Sequence, residues 1–350
     1  MTLCPHFGVC GGCAYQDIAD ADYRTLKRNL VAGALARHGV ETTIAEIIEV
    51  PPGTRRRATL KAKNTAAGVA LGFHAARTHS IVDLARCLVL RPSLVALLPG
   101  LRVMLASLLP AGGDAELRLT ETEAGIDLGL RWRVPNDAAA IAALAGWAEK
   151  LDLVRISAHG ESVVSRGVPS VRLGKALVEL PAETFLQSTR EGEAALQTFV
   201  RETLSGARHV ADLFAGCGTF TFPLAETARV HAVEIEAAML AAIAAAAKKT
   251  PGLRPVTTEK RNLFKRPPGP AELNAFDAVC LDPPRAGAIE QAGALAKSTV
   301  GRAAYVSCDA ATFARDAQVM IAGGWRLIRV VPVDQFLWSS HIELMGSFER

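Results

Sequence analysis

Two residues near the end of the 350-residue chain could act together as a nucleophile and a proton acceptor. Cys308 follows the apolar strand-like run that starts at Tyr305, and Glu343 lies beyond a loop, two residues after His341. A thiolate is a strong nucleophile, and a carboxylate can remove a proton from the group that has been attacked. An isolated cysteine is more often a small buried hydrophobe, so the prediction depends on both side chains reaching one cleft.

A ligand pocket is predicted from Val210–Thr219, whose pattern is typical of a strand, a Gly-x-Gly turn and the start of a helix. Gly216 and Gly218 let backbone N–H groups and the helix N-terminus approach a ligand closely. The third glycine of the dinucleotide fingerprint is missing, which favours an adenosine ligand other than NAD. Glu234 ends the next strand, where a carboxylate can hold two ribose hydroxyls. These features together favour S-adenosylmethionine.

A second polar segment, Asp282-Pro-Pro-Arg285, follows a buried strand, and it is predicted beside the same ligand because open α/β sheets bind ligands beyond their strands' carboxyl ends. One chemistry would use all of these groups. A thiolate from Cys308 that adds to C6 of uracil turns the poorly nucleophilic C5 into an enolate carbon, which can attack an electrophilic methyl group. A base such as Glu343 then removes the C5 proton so that the thiolate can leave. This chemistry calls for a cysteine of lowered pKa.

The motifs resemble those of the RNA uracil-5-methyltransferases, and within that family the bacterial 23S ribosomal RNA enzymes that carry an iron–sulfur cluster. The resemblance covers nearly the whole chain and depends on several motifs in one order: Cys4-x5-Cys10-x2-Cys13 with a distant Cys87, Phe185-Leu-Gln187, Asp212-Leu-Phe-x-Gly-x-Gly218, Asp282-Pro-Pro-Arg285, Ser307-Cys308 and His341-x-Glu343.

The resemblance implies a role for each matching residue. Cys308 would be the nucleophile and Glu343 the proton acceptor. The methyl-donor site would be lined, beside the glycine turn, by Gln187, Phe214, Thr219, Glu234, Asn262 and Asp282. The segment 335–340 lacks the proline and threonine usual in the family. This departure leaves open which RNA is the target, but it does not change the expected reaction. Because the chain starts at the cysteine cluster, we expect no small RNA-binding β-barrel in front of it.

Four of the seven cysteines could complete a tetrahedral set of thiolates: Cys4, Cys10, Cys13 and Cys87. Such a set suits either zinc or an iron–sulfur cluster, and the spacing alone leaves both open. The resemblance implies a [4Fe–4S] cluster. Methyl transfer needs no electron, so we expect the cluster to have a structural or RNA-positioning role. Cys217 and Cys280 are assigned to packing.

Positive charge is concentrated in one stretch, although the formal net charge of the chain is only +4. No acidic residue occurs between Glu49 and Asp83. The basic residues of this stretch that are predicted to bind RNA phosphates are Arg55, Arg56, Arg57, Lys61 and Lys63. A solvated strand face would have the same pattern. An RNA substrate would present its uridine flipped out of any stack.

The elements that must position these groups change character after Gln187. Residues 186–350 alternate strands and helices, which predicts an α/β, doubly wound, Rossmann-like SAM-dependent methyltransferase domain. Residues 1–91 carry the cysteines and the basic stretch. Residues 92–185 form a central α+β region with a hairpin over 116–134, a helix over 137–150 and strands over 153–157, 162–165 and 171–180.

Composition limits the possible classes of protein. Half of the residues are hydrophobic and 21% are charged, which is typical of a globular chain and excludes disorder as its main state. The longest apolar run, 237–247, is much shorter than the ~20 residues that a membrane span requires. No secretory signal is visible, so we expect a cytoplasmic monomer without a membrane partner.

Other functions stay open from the sequence alone, as does a transfer RNA target. The Asp-Pro-Pro shelf also serves methyltransferases that act on an exocyclic base nitrogen, and such an enzyme would not need Cys308. A non-catalytic RNA-binding iron–sulfur protein could retain the fold. The intact set of Cys308, Glu343 and Asp282 argues against that third possibility.

Overall fold

The computed structural model describes residues 3–132 and 137–350. The first part of the chain contributes one long helix and two short strands, which are α1 (Asp20–Arg37), β1 (Thr43–Ile44) and β2 (Ile48–Glu49). The central part forms β3 (Arg57–Thr65), β4 (Gly68–His74), β5 (Ile81–Asp83), α2 (Pro92–Ala96), α3 (Leu98–Leu108), β6 (Asp114–Thr122), β7 (Gly125–Arg131), α4 (Ala138–Lys150), β8 (Leu153–Ala158), β9 (Glu161–Ser165), β10 (Ser170–Leu173) and β11 (Ala176–Glu179).

The last part alternates helices and strands, as predicted for residues 186–350. Its elements are α5 (Arg190–Thr203), β12 (His209–Leu213), α6 (Thr221–Ala225), β13 (Arg229–Glu234), α7 (Ala237–Lys249), β14 (Val256–Lys260), α8 (Pro270–Leu273), β15 (Ala278–Leu281), α9 (Ile289–Ala296), β16 (Arg302–Ser307), α10 (Ala310–Ala322), β17 (Arg326–Asp334) and β18 (Glu343–Glu349).

One large sheet carries these last strands in the order β17-β18-β16-β15-β12-β13-β14, and β1 and β2 both pair with the outer side of β17. β18 is antiparallel to β16 and β17, whereas the pairs from β16 to β14 are parallel. The first residue of β18 therefore lies at the same edge as the carboxyl ends of the parallel strands. Helices cover both faces, and the central strand β15 is buried along its whole length.

A second sheet, in the order β5-β4-β3-β6-β7-β8-β9, is built from the central part of the chain. Its core includes Leu60, Leu117 and Leu128 from the strands and Met104 and Leu144 from helices α3 and α4. The predicted hairpin is confirmed as β6 and β7, and the predicted helix as α4. The end of the predicted hairpin, from residue 133 on, lies outside the described residues.

The strand predicted over 171–180 is instead the hairpin of β10 and β11. Its turn contains Gly174, whose φ of +53° is rarely adopted by residues with a side chain. A Cβ atom at this position would lie 3.2 Å from the backbone nitrogen of Pro223. The apolar alternation of the sequence predicted the strand type correctly, but the single glycine that reverses the chain decided the topology.

A buried ion pair joins α1 to the end of β17. The Lys27 ammonium lies 2.7 Å from a carboxylate oxygen of Asp334, and both side chains are inaccessible to solvent. Tyr23 donates its hydroxyl to the same carboxylate and accepts a hydrogen bond from the backbone N–H of Trp338. Lys27 also donates to the carbonyl of His341. These contacts fix the loop between β17 and β18 (residues 335–342), which leads directly into Glu343.

No helix within residues 3–132 and 137–350 combines the length and the apolar character that crossing a bilayer would need.

Candidate active site

A cavity of about 510 Å³ opens at the carboxyl edge of the large sheet. It is lined by nine of the ten residues predicted for catalysis or cofactor binding, namely Gln187, Phe214, Gly216, Thr219, Glu234, Asn262, Asp282, Cys308 and Glu343. The tenth residue, Gly218, lies behind the wall, where a Cβ atom would be 2.6 Å from the ring of Phe222. Gly218 therefore serves the close packing of the turn against α6, and the remaining residues face one space.

The glycine turn and Glu234 are locked together by backbone hydrogen bonds. The N–H of Gly216 donates to one carboxylate oxygen of Glu234 at 3.0 Å, and the N–H groups of Ile235 and Glu236 donate to the other. Phe214, which begins the turn, has a φ of +65°. The carboxylate is thus held at the end of β13 and faces the cavity, in the position where ribose hydroxyls are bound in folds of this type.

Exposed apolar side chains surround the cavity. Phe185, Ile235 and Phe264 are 62%, 45% and 50% exposed, and all three line it. The ring centroids of Phe214 and Phe264 are 5.5 Å apart. Apolar groups left open around a concave site with a few fixed polar atoms are typical of a pocket that a flat organic ring fills. The volume and this lining fit an adenosine-bearing ligand.

Cys308 lies immediately after β16 and faces the same cavity. Burial raises the pKa of its thiol to about 11, and the nearby carboxylate of Glu343 acts in the same direction. The guanidinium of Arg285 works against this rise because it stabilises the thiolate. The expectation of a lowered cysteine pKa is therefore wrong for the protein without its substrate, since the cavity withdraws the thiol from water.

Two carboxylates share the cavity with the thiol. Glu343 is buried at the start of β18, and loss of solvent raises its pKa to about 7. Asp282, at the end of β15, has a pKa well above its usual range because it is buried and because Glu343 carries a like charge nearby. Groups whose pKa is shifted by burial and by each other are concentrated at sites of proton transfer.

Two glutamine side chains link these carboxylates. Gln187 donates to Asp282 at 3.2 Å, and Gln335 donates both to Gln187 and to Glu343 at 2.8 Å. Sequence reasoning identified Gln187 but missed Gln335. The available signal was a pair of adjacent polar residues, Asp334 and Gln335, where the apolar run of β17 ends.

The predicted RNA-binding residues separate into two groups. Arg56 is only 1% exposed, and its guanidinium lies 2.6 Å from the buried carboxylate of Glu193, so the prediction that it contacts RNA is wrong. Lys61 and Lys63 face acidic partners of β6 across the sheet, at 2.5 Å and 3.5 Å. Part of the stretch that is basic in sequence is therefore paired with acidic residues, Lys61 and Lys63 with β6 and Arg56 with α5, which local charge counting could not predict.

Arg55 and Arg57 do reach the cavity. The guanidinium of Arg57 lies 4.1 Å from the ring centroid of Phe185 and donates to the carbonyl of Leu186 at 2.6 Å, so it holds the segment that carries Gln187. The guanidinium of Arg55 donates a hydrogen bond to the backbone carbonyl of Arg57. Its side chain lines both this cavity and an adjoining one.

The adjoining cavity, of about 340 Å³, is lined by Cys4, Cys10, Cys13 and Cys87. Burial raises the pKa of the Cys10, Cys13 and Cys87 thiols, and the neighbouring thiols raise each of them further. Arg55, Arg285 and Phe336 line both cavities and so form their common wall. Within residues 3–132 and 137–350, no three histidine, cysteine, aspartate or glutamate side chains are grouped as ligands of a metal ion.

Comparison with known proteins adds independent findings. The family model described as tRNA (Uracil-5-)-methyltransferase matches residues 174–348. An uncharacterised RNA methyltransferase of Brucella suis is 44% identical over 343 residues, which cover 98% of this chain and 83% of the relative. The 23S rRNA (uracil(1939)-C(5))-methyltransferase of Dechloromonas aromatica is 32% identical over 99% of this chain and 84% of its own length.

A solved structure is also similar along most of the chain. The Pyrococcus abyssi tRNA (uracil-54, C5)-methyltransferase in complex with S-adenosyl-L-homocysteine superimposes with a TM-score of 0.75 at 21% identity. The match covers 96% of this chain and 85% of the other. This likeness supports the mixed α/β fold described above.

Proposed function

The chain belongs to the family of RNA (uracil-5-)-methyltransferases, and we propose that it methylates C5 of a uridine in 23S ribosomal RNA through a covalent intermediate on Cys308. One observation carries the proposal: a thiol and a carboxylate, Cys308 and Glu343, face the same cavity as the glycine turn and Glu234. The ribosomal target is supported by the relative from Dechloromonas aromatica and by the cysteine quartet of the resemblance.

S-adenosylmethionine fits the residues of this cavity. Glu234 would accept hydrogen bonds from its ribose, and the half-buried ring of Phe214 and the exposed ring of Phe264 would pack against its adenine. When bound, it supplies an electrophilic methyl group on a sulfonium. Asp282 and Gln187 are hydrogen-bonded to each other and line the same cavity as Cys308, so the uracil would lie against them.

Cys308 begins the reaction by adding its sulfur to C6 of the uracil. The S–C6 bond forms, the C5=C6 double bond breaks, and C5 becomes nucleophilic enough to bond to the methyl carbon, whose bond to the donor's sulfur would break so that the donor leaves as S-adenosylhomocysteine. The thiol first loses its proton to solvent, at a cost set by its raised pKa. Arg285 lowers this cost because its guanidinium lies beside both Cys308 and Glu343 and stabilises negative charge there.

Glu343 completes the reaction. Its carboxylate takes the proton from the methylated C5, the electrons re-form the C5=C6 bond, and the S–C6 bond breaks to release the thiolate. A base with a pKa of about 7 is well matched to this task near neutral pH, since about half of it is ionised there and it still accepts a proton readily.

The RNA backbone would enter along the wall that the two cavities share. Arg55 and Arg285 are the cations of that wall, and Phe336 is its aromatic ring. Guanidinium groups beside an aromatic ring are suited to hold a phosphate and a neighbouring base. We therefore retain Arg55 as a proposed RNA-facing residue, together with Arg285, whereas Arg57 lines only the first cavity and holds the segment that carries Gln187.

The proposed contact between Glu234 and the ribose can be tested by measuring cofactor affinity. Glu234→Gln keeps the shape of the side chain but removes the charge that accepts three backbone hydrogen bonds and would accept two from the ribose. We expect S-adenosylmethionine to bind roughly 10- to 100-fold more weakly, because hydrogen bonds to a charged acceptor are worth about 1.5–3 kcal/mol. Calorimetric titration measures the effect. Glu161→Gln, on the edge strand β9 of the second sheet, is the control, and equal weakening in both variants would contradict the assignment.

A [4Fe–4S] cluster is proposed for the second cavity, held by Cys4, Cys10, Cys13 and Cys87. The four thiols line one space next to Arg55 and Arg86, whose positive charge would balance that of the thiolates. The segment after Cys13 is tied to the loop before Glu343 by the N–H groups of Ala14 and Tyr15, which donate to the carbonyl of Trp338. Loss of the cluster would therefore loosen the wall that faces RNA.

Replacing one proposed ligand tests this assignment. Cys10→Ser, purified without oxygen, is expected to lose bound iron and acid-labile sulfide and to bind its RNA about 10-fold or more weakly, because the cysteine segment no longer supports the common wall. Iron analysis, visible absorption and RNA titration measure these effects. Cys280→Ala, a buried cysteine outside the quartet, should keep both properties. Zinc without sulfide in the unaltered protein would refute the [4Fe–4S] assignment. Unchanged RNA affinity in Cys10→Ser would refute the role of the cluster in supporting the wall that faces RNA.

The decisive experiment for the activity is direct. Purified protein is incubated with methyl-labelled S-adenosylmethionine and unmodified 23S ribosomal RNA or transfer RNA, and 5-methyluridine is mapped by mass spectrometry. We expect one uridine of 23S RNA to acquire the label. Label in transfer RNA would correct the target but would still support methylation of uridine at C5. Label on an exocyclic nitrogen would refute C5 methylation.

A further inference from the structure

The amide of Gln335 has a hydrogen-bond partner for each of its polar positions. Its carbonyl oxygen accepts from the backbone N–H of Ser188 at 3.1 Å. Its NH₂ group donates to Oε1 of Gln187 and to Oε2 of Glu343, each at 2.8 Å. The side chain is only 2% exposed, so water does not compete for these bonds.

The orientation of this amide is fixed by chemistry. A backbone N–H can only donate, so the side of Gln335 that faces Ser188 must be its oxygen. The NH₂ group is therefore turned toward Gln187 and Glu343. Gln187 must in turn present its oxygen to Gln335 and its NH₂ group to Asp282, which it reaches at 3.2 Å. Both carboxylates consequently receive N–H donors.

From this geometry we propose that Gln335 is a positioning residue for the proton acceptor: it orients the Glu343 carboxylate toward the substrate and keeps it in the ionised form that removes the C5 proton. The inference depends on the function proposed above. The Oε2 atom that accepts from Gln335 cannot also carry a proton directed at the same NH₂ group, so protonation of Glu343 there would break the bond. The hydrogen bond to Gln335 accordingly lowers a pKa that burial raises.

The surrounding structure holds Gln335 in this position. The preceding residue, Asp334, is fixed by its buried ion pair with Lys27. On the other side, Gly192 in the first turn of α5 approaches so closely that a Cβ atom there would lie 3.0 Å from both the Cβ and the Oε1 atoms of Gln335. The amide is therefore confined between β17 and α5, which leaves it little freedom to turn away from Glu343.

Other charged and titratable groups also act on Glu343. Asp282, after β15, is a like charge that couples to it, and Cys308, after β16, couples to it as well. Arg285 is the cation that opposes the effect of burial. Asp282 is retained in every variant, so a pH measurement must isolate the step in which Glu343 takes up the proton and Cys308 does not titrate. Elimination from the covalent adduct is that step, because the sulfur of Cys308 is then bonded to C6 and cannot titrate.

The test measures how transferred methyl divides between protein-bound adduct and free methylated RNA, in single turnovers from pH 5.5 to 9. Denaturing gels separate the two species. In the unaltered protein, elimination should rise with pH and reach half its maximum near pH 7. Gln335→Met keeps the length but removes both donors, so the midpoint should move up by about one pH unit or more, with elimination about 5-fold or more slower at pH 7. Above the new midpoint, the rate should recover.

Further variants separate positioning from structural damage. Gln335→Glu adds a like charge beside Glu343 and should move the midpoint upward as well. Gln291→Met is the matched control, because it removes the hydrogen bond from another buried glutamine to the carbonyl of Leu263 and should leave the midpoint unchanged. Thermal melting shows that each variant is folded.

The outcomes are distinguishable. In one outcome, the unaltered protein methylates uridine while the pH midpoint of elimination is unshifted in both Gln335→Met and Gln335→Glu. That result would overturn the role of Gln335 and leave the proposed function intact. An equal loss of rate at every pH would also overturn it, since a purely structural role predicts that result. Failure of the unaltered protein to methylate uridine in either RNA would overturn both proposals.

Discussion

Cys308→Ala is expected to lower the rate of uridine methylation by about 10⁴-fold or more, because it removes the proposed nucleophile. Among the described residues, the other thiol that lines the cavity is Cys217, which is buried in the glycine turn. Without addition of sulfur to C6, C5 of uracil stays a poor nucleophile. The measurement is the single-turnover rate of label transfer to RNA. The affinity for S-adenosylmethionine should change by less than about 3-fold, since the polar contacts proposed for it come from other residues.

The control for this variant is Cys280→Ala, which removes a buried thiol from β15 without touching the cavity. Its rate should stay within a few-fold of that of the unaltered protein. A 5-fluorouridine substrate adds a second readout, because fluorine at C5 prevents the final elimination and leaves the RNA bonded to sulfur. An adduct that forms equally well with Cys308→Ala would assign the bond to another residue and contradict the mechanism.

The convergence of Asp282, Cys308 and Glu343 could be predicted because each ends or begins a strand of a recognisable α/β pattern. Parallel strands bring their carboxyl ends to one edge, and this rule is independent of the order of the strands in the sheet. For Glu343 the rule alone was insufficient. It lies at the start of β18, and it reaches the same edge only because β18 runs antiparallel between β16 and β17.

Burial and distant partners could not be predicted in the same way. Arg56 belongs to a basic stretch, yet its partner Glu193 is 137 positions away on α5. Gln335 became visible as part of the site only once Ser188, Gln187 and Glu343 were in contact with it. The raised pKa of Cys308 has the same origin, since the desolvation that causes it depends on what closes over the thiol.

Glu343→Gln is expected to stop the reaction after methyl transfer and not before it. Addition of Cys308 and formation of the new C5–methyl bond do not require a base at C5, but elimination does. The variant should therefore accumulate a methyl-labelled protein–RNA adduct, while its multiple-turnover rate falls by about 10²- to 10⁴-fold. Denaturing electrophoresis with labelled methyl and labelled RNA measures both effects in one experiment.

The pH dependence of the unaltered protein provides the complementary measurement. Glu343 acts as a base only when ionised, and its pKa is raised to about 7, so elimination is lost as the pH falls through that value. Adduct should accordingly build up in the unaltered protein below about pH 7, and in Glu343→Gln at every pH. If the variant's adduct disappeared at pH 9 as quickly as that of the unaltered protein, another group would have to be the proton acceptor.

Stability distinguishes this chemical defect from unfolding. The pKa of Glu343 rises from an ordinary 4.5 to about 7 on folding, so the folded protein disfavours the ionised form by about 3 kcal/mol. This group therefore makes stability fall as the pH increases from about 4.5 to about 7. Glu343→Gln removes that loss, and we expect its melting temperature at pH 8 to equal or exceed that of the unaltered protein. If Glu343→Gln accumulates the adduct and its melting temperature is not below that of the unaltered protein, the defect is the loss of the base and not unfolding.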